Sequence, residues 1–552
     1  MTDQSTWNFG DILEAVDRVN SPDAPALIHA DGDSAKVLLW SDLARRSNNL
    51  AAALVARGAS PDDKIAIYTR NCTEYLQTLV AAFKARLVHV NVNFRYLDDE
   101  LAYIIENSDA RFVVFGSEFD DRVERLAERC PEVRSWIRIA GDADAAPAFS
   151  EPFDELAESG DGSPLGLERS SDDLLFIYTG GTTGMPKGVM WRAEDLWGAL
   201  GHGINSPSNR GKRPSDVNEH AANLSAHLEA GGVAPKQLVA CPLMHGTGLL
   251  TAITCLSSGG CVVTHAGASF DPVEMFETVD RHEVASVVIV GDAFARPMLK
   301  TLNENPGRWS LSSLRVIMSS GVMWSREVKQ GLLEHVPNAM LADMFGSSEA
   351  VGFGTSITSK QGGNRTARFM IGDLCKVFTE DHREVEPGSG ERGFVARTGP
   401  IPLGYYKDPE KTARTFPVID GVRYSIPGDW CTVEADGTLT LLGRGSVCIN
   451  TAGEKVYPEE VEEALKTHAA VEDALVVGLP DEKWGQAVTA IVEPAAGSEF
   501  DEDVLRAHVK TQLAAYKTPK RIVAVDTMFR APNGKADYKS AAAHAARVLG
   551  VD

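Results

Sequence analysis

The stretch YTGGTTGMPKG, residues 178–188, follows directly on a short apolar run that begins at Asp173. Gly180, Gly181 and Gly184, the hydroxyls of Thr182 and Thr183, and the ammonium of Lys187 suit a loop whose amides and hydroxyls wrap polyphosphate oxygens. It is not a Walker loop, because Lys187 is followed by Gly188 and Val189 where that motif needs Ser or Thr after the lysine. An apolar strand feeding a phosphate loop predicts an α/β body, and the flanking sequence repeats the unit. KIAIYTRN from Lys64 is a strand, Tyr75 to Leu87 is an apolar helical run, and VHVNVN from Val88 is a second strand. RFVVFG from Arg111, SVVIVGD from Ser286 and LRVIMSSG from Leu314 are further short apolar runs spaced by helix-length segments, the pattern of mainly parallel sheets.

Composition bounds the partners. The 552 residues are 43% hydrophobic and 24% charged, which fits a globular chain of several structural units. Fifty-four basic against 77 acidic residues leave a net charge of −23, which opposes wrapping nucleic acid or coating an anionic membrane but not the local capture of a small anion. The eight cysteines form no CxxC pair and the 13 histidines no HExxH, so reduced thiols, a cytoplasmic location and a hard metal ion brought with a substrate are expected. The opening MTDQSTWNFGDILEAV has no basic segment leading into an apolar core, and no run of about 18 apolar residues predicts a membrane span.

Between His202 and Lys236 the sequence is polar and rich in Gly, Asn, Ser and Pro, and it reads as a surface excursion or a substrate-covering lid. Beyond Gly443 the texture becomes compact α+β. Pro458 opens a helix with Glu459 and Glu460 in its first turn, and Glu462 and Lys466 are spaced to pair at i,i+4. Two apolar strands, ALVVG and AVTAIV, then a helix over 501–513 and a strand RIVAV complete this unit.

With the 178–188 loop, five further motifs resemble the adenylate-forming superfamily of acyl- and aryl-CoA ligases, luciferases and peptide-synthetase adenylation domains, over nearly the whole chain. FGSSEA over 345–350 stands where the family shows an aromatic, Gly, Ser or Thr, Thr and Glu; MSSGVMWS over 318–325 resembles the loop against which adenine lies. PGDW over 427–430 and LGRGSVCINTAGEKVYPEEVE over 442–462 resemble the ribose motif and the segment joining two domains, and PNGKADY over 532–538 the turn carrying the adenylation lysine. The resemblance implies an ATP- and acyl-binding domain over 1–443 and a small mobile domain over 444–552. It implies ATP contacts from Thr179 to Gly184, Lys187, Ser320, Gly321, Phe345, Gly346, Ser347, Ser348, Asp429, Arg444 and Lys535. Lys535, Glu349, Thr183 and Lys187 would be catalytic, Glu349 the Mg²⁺ ligand, Ser446 the hinge and Gly453 the side facing coenzyme A. His245, Gly246, Phe294 and Gly352 are candidates for the acyl pocket; for His245, Phe294 and Gly352 ordinary packing stays open.

The chain departs from the pattern in places. Gly180 replaces the usual serine of the phosphate loop, Phe345 lacks a hydroxyl, and Ser446–Val447 replace the usual charged hinge pair. TGGTTGMPKGVMW and GRGSVCIN are similar to actinobacterial ligases for fatty acids and sterol side chains. The implied reaction joins a carboxylic acid to coenzyme A through an acyl-adenylate, with ATP and Mg²⁺. Loading of a carrier protein and an aryl acid substrate remain alternatives, and a homodimer is left open.

Overall fold

A computed structural model describes residues 7–139, 146–179, 185–267, 269–322, 324–360, 362–363, 368–444, 449–451, 454–481, 485–513, 515–531 and 534–551. Two large sheets and a smaller one carry the chain. In the first, strands Val88–Asn91, Lys64–Tyr68, Ala110–Gly116, Ser135–Ile139 and Ser150–Pro152 run parallel beside Leu174–Thr179, whose other edge takes Lys187–Arg192 antiparallel. The second has a parallel centre of Pro25–Asp31, Cys261–His265, Lys236–Val239, Ser286–Ile289, Val316–Ser320 and Met340–Ser347. From Met340–Ser347 it continues as an antiparallel wing through Ala350–Ser359, Arg368–Ile371, Leu439–Arg444 and Asp429–Val433. The expected α/β body with parallel sheet centres is thus observed.

The parallel strands are buried on both faces and read as continuous Val/Ile/Leu runs for that reason. One apolar cluster spans both sheets, joining Ile67, Ile177 and Trp191 to Leu238, Val288 and Ile317 through Leu249 and Leu256 of the Gly246–Ser257 helix. The apolar helix read from Tyr75 begins at Thr73 and ends at Lys84. Among the described residues no helix is long and apolar enough to cross a membrane. Among the described residues seven cysteines are free, six of them buried, and burial raises their thiol pKa values.

The 202–236 stretch contains an ordered helix, Val217–Glu229, which sequence reading missed. Asp216 caps it by accepting from the Glu219 amide at 2.9 Å, and it buries His220, Ala221 and Leu224. That stripe is short and one of its members is a histidine, so the apolar period is faint. His220 is fully buried, held by Asn209 at 3.0 Å and the Ser257 carbonyl at 2.7 Å, so this part of the excursion is fastened to the body.

Ile449–Thr451 enters a separate sheet with Glu454–Val456, Val471–Asp481, Gly485–Pro494 and Arg521–Ala524. Helices Pro458–Lys466, Glu502–Gln512 and Tyr538–Leu549 cover it, with apolar clusters on both faces. This is the small α+β unit the sequence predicts. The i,i+4 pairing of Glu462 with Lys466 is not formed. Glu462 turns inward to accept from the Val476 amide at 2.9 Å, and Lys466 approaches Asp473 at 4.0 Å, because both side chains lie on the buried face.

Candidate functional site

The site is assembled where parallel strands end. Thr179 closes its strand opposite Lys187, so residues 180–184 connect two paired antiparallel strands; Gly180, Gly181, Thr182, Thr183 and Gly184 themselves lie outside the described residues. The strand end is clamped by Asn91, which accepts from the Tyr178 amide at 2.6 Å and donates to the Tyr178 carbonyl at 2.9 Å and the Met244 carbonyl at 2.6 Å. A Cβ at Gly188 would lie 2.7 Å from the Tyr178 ring, so this position needs glycine for packing. The Lys187 ammonium is ion-paired with Asp408, and that contact holds the Asp408 carboxyl below its ordinary range.

Ser320 and the Phe345–Glu349 segment leave neighbouring parallel strands at the same end, with Ser320 in register with Met344. A crevice beyond the carboxyl ends of such strands is where open α/β sheets bind ligands. Gly321 has φ +90°, which suits glycine, and a side chain there would approach Thr247 at the start of the Gly246–Ser257 helix. Phe345 is buried against Phe353 and Phe369, both with ring centroids 5.1 Å away. Gly346 lies close to the backbone of Ala350 and Gly352, and the buried Ser347 hydroxyl has no protein partner. The Ser348 carbonyl accepts from the Trp191 indole at 2.9 Å, tying this segment to the strand after the glycine-rich stretch.

Glu349 is 7% exposed; Tyr405 donates to its Oε1 at 2.7 Å and Ser425 to its carbonyl at 2.7 Å. Among the described residues no group of three or more His, Cys, Asp or Glu could hold a metal alone. One fixed carboxylate with further lone pairs nevertheless fits Mg²⁺, which takes one or two protein carboxylates together with substrate phosphates.

Asp429 is buried at the start of its strand, opposite the backbone of Arg444. Ser446 and Gly453 lie outside the described residues. Gly443 has φ +117°, and a side chain there would run into the Glu459 carboxylate of the small domain.

Lys535 sits on a turn that its own domain builds. The Ala531 amide donates to the Lys535 carbonyl at 2.7 Å, and Arg530 donates to the Gly534 carbonyl at 3.1 Å and to Asp473 Oδ1 at 2.8 Å. Gly534, at φ +79°, packs on the large domain so tightly that a Cβ would lie 2.5 Å from Ala293 Cβ. The turn delivers the Lys535 charge to His245. Burial, then repulsion from Lys535 and Arg95, pushes the His245 imidazole down to about 3, so it is neutral; its Nε2 is sealed from water without a partner.

Gly246 follows His245 as the first residue of its helix, where a Cβ would meet nothing within 4 Å. Gly352 has φ +75° and its carbonyl accepts from Arg397. Phe294 is 5% exposed and its ring lies 4.7 Å from that of Phe270, so it packs within the apolar core. The structure therefore gathers Lys535 and His245 into one region, and the Ser320 and Glu349 segments at the ends of adjacent strands. Sequence reading missed Tyr405, Asp408, Arg95 and the Arg530–Asp473 support; of these only Arg95, in the polar NFRY after an apolar strand, left a local signal.

The profile of the AMP-binding enzyme family matches residues 15–406, and that of the AMP-binding enzyme C-terminal domain matches residues 460–535. A 3-oxocholest-4-en-26-oate–CoA ligase of Rhodococcus rhodochrous is 41% identical over 542 residues, covering 96% of this chain and 95% of the relative. A medium/long-chain-fatty-acid–CoA/3-oxocholest-4-en-26-oate–CoA ligase of Mycolicibacterium smegmatis is 40% identical over 540 residues, with the same coverage. Among solved structures, the anthranilate CoA ligase AuaEII in complex with anthranoyl-AMP shares the fold at a TM-score of 0.84 and 21% identity, covering 99% of this chain and 100% of that one.

Proposed function

We propose, from the premise that this chain belongs to the AMP-binding enzyme family, that it joins medium- to long-chain fatty acids or a steroid side-chain acid to coenzyme A. The observation that carries the substrate class is 40–41% identity, along almost the full length, to ligases named for those acids. The acid carboxylate attacks the α-phosphate of ATP and pyrophosphate leaves; the thiol of coenzyme A then attacks the acyl carbon and AMP leaves.

A carboxylate is a weak nucleophile and is repelled by triphosphate, so the first step needs positive charge fixed where negative charge develops. Lys535 supplies it from a turn that is rigid within its own domain, and the neutral His245 beside it competes for no anion. Glu349, oriented by Tyr405, would hold Mg²⁺ together with the phosphates; the ion, when bound, neutralises charge on the phosphoryl oxygens. Thr179, Lys187 and the 180–184 segment, including Thr183, are assigned to the phosphates, Ser320, Gly321, Phe345 and Gly346 to adenine, and Asp429 with Arg444 to ribose. Ser347 and Ser348 complete the nucleotide side, and Gly246 and Gly352 border the acyl group.

The present arrangement, with Gly534 seated on Ala293, is assigned to adenylation. Thioester formation then requires Lys535 to leave, and rotation of residues 444–552 about Ser446 would remove it and bring Gly453 inward. The test is an AMP-release screen over acids of graded length and ring content, with and without coenzyme A. Turnover with long-chain or steroid acids that depends on coenzyme A supports the reading, and preference for small aryl acids overturns it.

A further inference from the structure

Glu349 stands at the tip of a hairpin. Met340–Ser347 and Ala350–Ser359 pair antiparallel with Ser347 opposite Ala350, so Ser348 and Glu349 alone make the turn, and the register slips between Phe345 and Ser347 just before it. The carbonyls of the two turn residues lie outside the ladder, and Glu349 is buried, so its carbonyl needs a partner from elsewhere in the chain. Donors arrive from three other segments. The Trp191 indole donates to the Ser348 carbonyl at 2.9 Å, the Ser425 hydroxyl to the Glu349 carbonyl at 2.7 Å, and the Arg397 guanidinium to the Gly352 carbonyl.

Ser425 and Arg397 form one clip. Their backbones exchange both hydrogen bonds as an isolated antiparallel bridge, the Arg397 amide donating to the Ser425 carbonyl at 3.0 Å and the Ser425 amide to the Arg397 carbonyl at 2.8 Å. Both residues are buried. Asp429 follows Ser425 in the same segment, YSIPGDW, and the path between them is stiff. The Ile426 amide donates to the Thr415 carbonyl at 2.8 Å, the ring of Pro427 sets its φ, and Gly428 takes φ +101°. The residue assigned to ribose and the residue assigned to Mg²⁺ are therefore joined through a buried hydroxyl.

We propose that Ser425 is a positioning residue for adenylation: its hydroxyl fixes the main chain of Glu349 from the segment that carries Asp429, so the metal-binding carboxylate is held in the frame of the ribose site. This rests on the acid–CoA ligase reading above, with Glu349 on Mg²⁺. Tyr405 orients one carboxylate oxygen, and Ser425 fixes the backbone from which that carboxylate extends. Without the hydroxyl a buried carbonyl loses its donor, and the turn relaxes at the metal ligand.

The experiment uses the full-length enzyme with Ser425→Ala, Ser425→Thr and Ser425→Cys. Mn²⁺, as the probe for Mg²⁺, is titrated in the presence of a non-hydrolysable ATP analogue and read by electron paramagnetic resonance. Ser425→Ala should weaken Mn²⁺ binding by about fivefold, the scale of one hydrogen bond, and raise the Mg²⁺ needed for half-maximal ATP–pyrophosphate exchange by a similar factor. Metal-free AMP binding and thioester formation from supplied acyl-adenylate should be little changed. Ser425→Thr keeps the hydroxyl and should recover part of the Mn²⁺ affinity; Ser425→Cys keeps the shape with a weak donor and carries the measurement should the alanine variant fail to fold. Unchanged Mn²⁺ binding overturns the proposal. So does weakened AMP binding with normal Mn²⁺ binding, which would assign Ser425 to the ribose segment alone, and so do equal losses in every assay that threonine does not relieve. Wild-type protein that loses Mn²⁺ affinity on Ser425→Ala yet adenylates no acid would sink the ligase reading and keep the clip; adenylate formation with Mn²⁺ binding indifferent to Ser425 would do the reverse.

Discussion

The hydroxyl of Tyr405 donates to Oε1 of Glu349 at 2.7 Å, joining residues 56 positions apart in a pocket where both are buried. Tyr405 arrives on the two-residue strand Gly404–Tyr405, which pairs with the strand after the glycine-rich stretch at Val189 and Met190. One carboxylate oxygen is thereby fixed from the same edge that positions Lys187.

Glu349→Gln is expected to depress Mg²⁺-dependent adenylation far more than ATP binding, because the amide keeps the shape and loses the anionic ligand. Tyr405→Phe should act on the same step more weakly, by about 1.5–3 kcal/mol at most, the range for a hydrogen bond to a charged group. Titrating adenylation against Mg²⁺ in both variants checks this. An unchanged Mg²⁺ dependence in Glu349→Gln would remove Glu349 from the metal.

Lys535→Ala should lower adenylation by roughly 10²–10³, the scale for removing one preorganised charge-stabilising donor. Thioester formation from supplied acyl-adenylate should be much less affected. Measuring the two half-reactions on the same preparation is decisive, since equal losses would mean that Lys535 serves structure.

Gly534→Ala introduces a methyl group against Ala293 at a backbone φ of +79°. Adenylation should fall while the second half-reaction is spared, because only the seated arrangement is disturbed. Ala293→Gly in the same chain removes the contact and should return part of the lost rate. Failure of that second change to help would assign the whole defect to backbone strain within the turn.

The pH dependence follows from Glu463, on the helix Pro458–Lys466. Burial raises its carboxyl to about 7; Lys466 and Arg296 oppose the rise, and Asp292 and Glu327 of the large domain reinforce it. Its Oε2 is buried without a partner, Asp292 is already engaged by Arg296 at 3.2 Å and the Ser325 amide at 2.9 Å, and Glu327 also faces His508. A carboxyl raised in the seated arrangement favours that arrangement while protonated, and the preference is lost as pH climbs from about 4.3, the ordinary glutamate value, through 7. Glu463→Gln should therefore exceed wild-type adenylation increasingly as pH rises from about 4.3 to about 7, and hold a constant ratio above. A ratio independent of pH would show that Glu463 does not report on domain seating.

Much of this was legible because it is local. The glycine-rich stretch after an apolar strand, the alternation of short strands with helices, and the change of texture beyond Gly443 each follow from a few consecutive residues. Contacts between distant segments were not legible. Nothing near Glu349 announces Tyr405, and nothing near Lys187 announces Asp408, since each partner is brought in by strand pairing. The Val217–Glu229 helix escaped because its buried side is narrow and includes a histidine whose polar atoms are satisfied internally. Glu462 and Lys466 carried a correct spacing and a wrong inference: the i,i+4 rule describes solvent-facing pairs, and here both residues face inward.

The buried cysteines have a consequence for selectivity. An acyl-adenylate is a mixed anhydride that any nearby thiolate would attack, and the enzyme's own thiols would be the first competitors for the acyl group. Burial holds Cys130 near 11 and Cys241 and Cys261 near 12, and drives Cys72, Cys255, Cys375 and Cys431 upward as well. At neutral pH these seven are overwhelmingly protonated and poor nucleophiles. These seven side chains, all those among the described residues, stay out of self-acylation by remaining un-ionised.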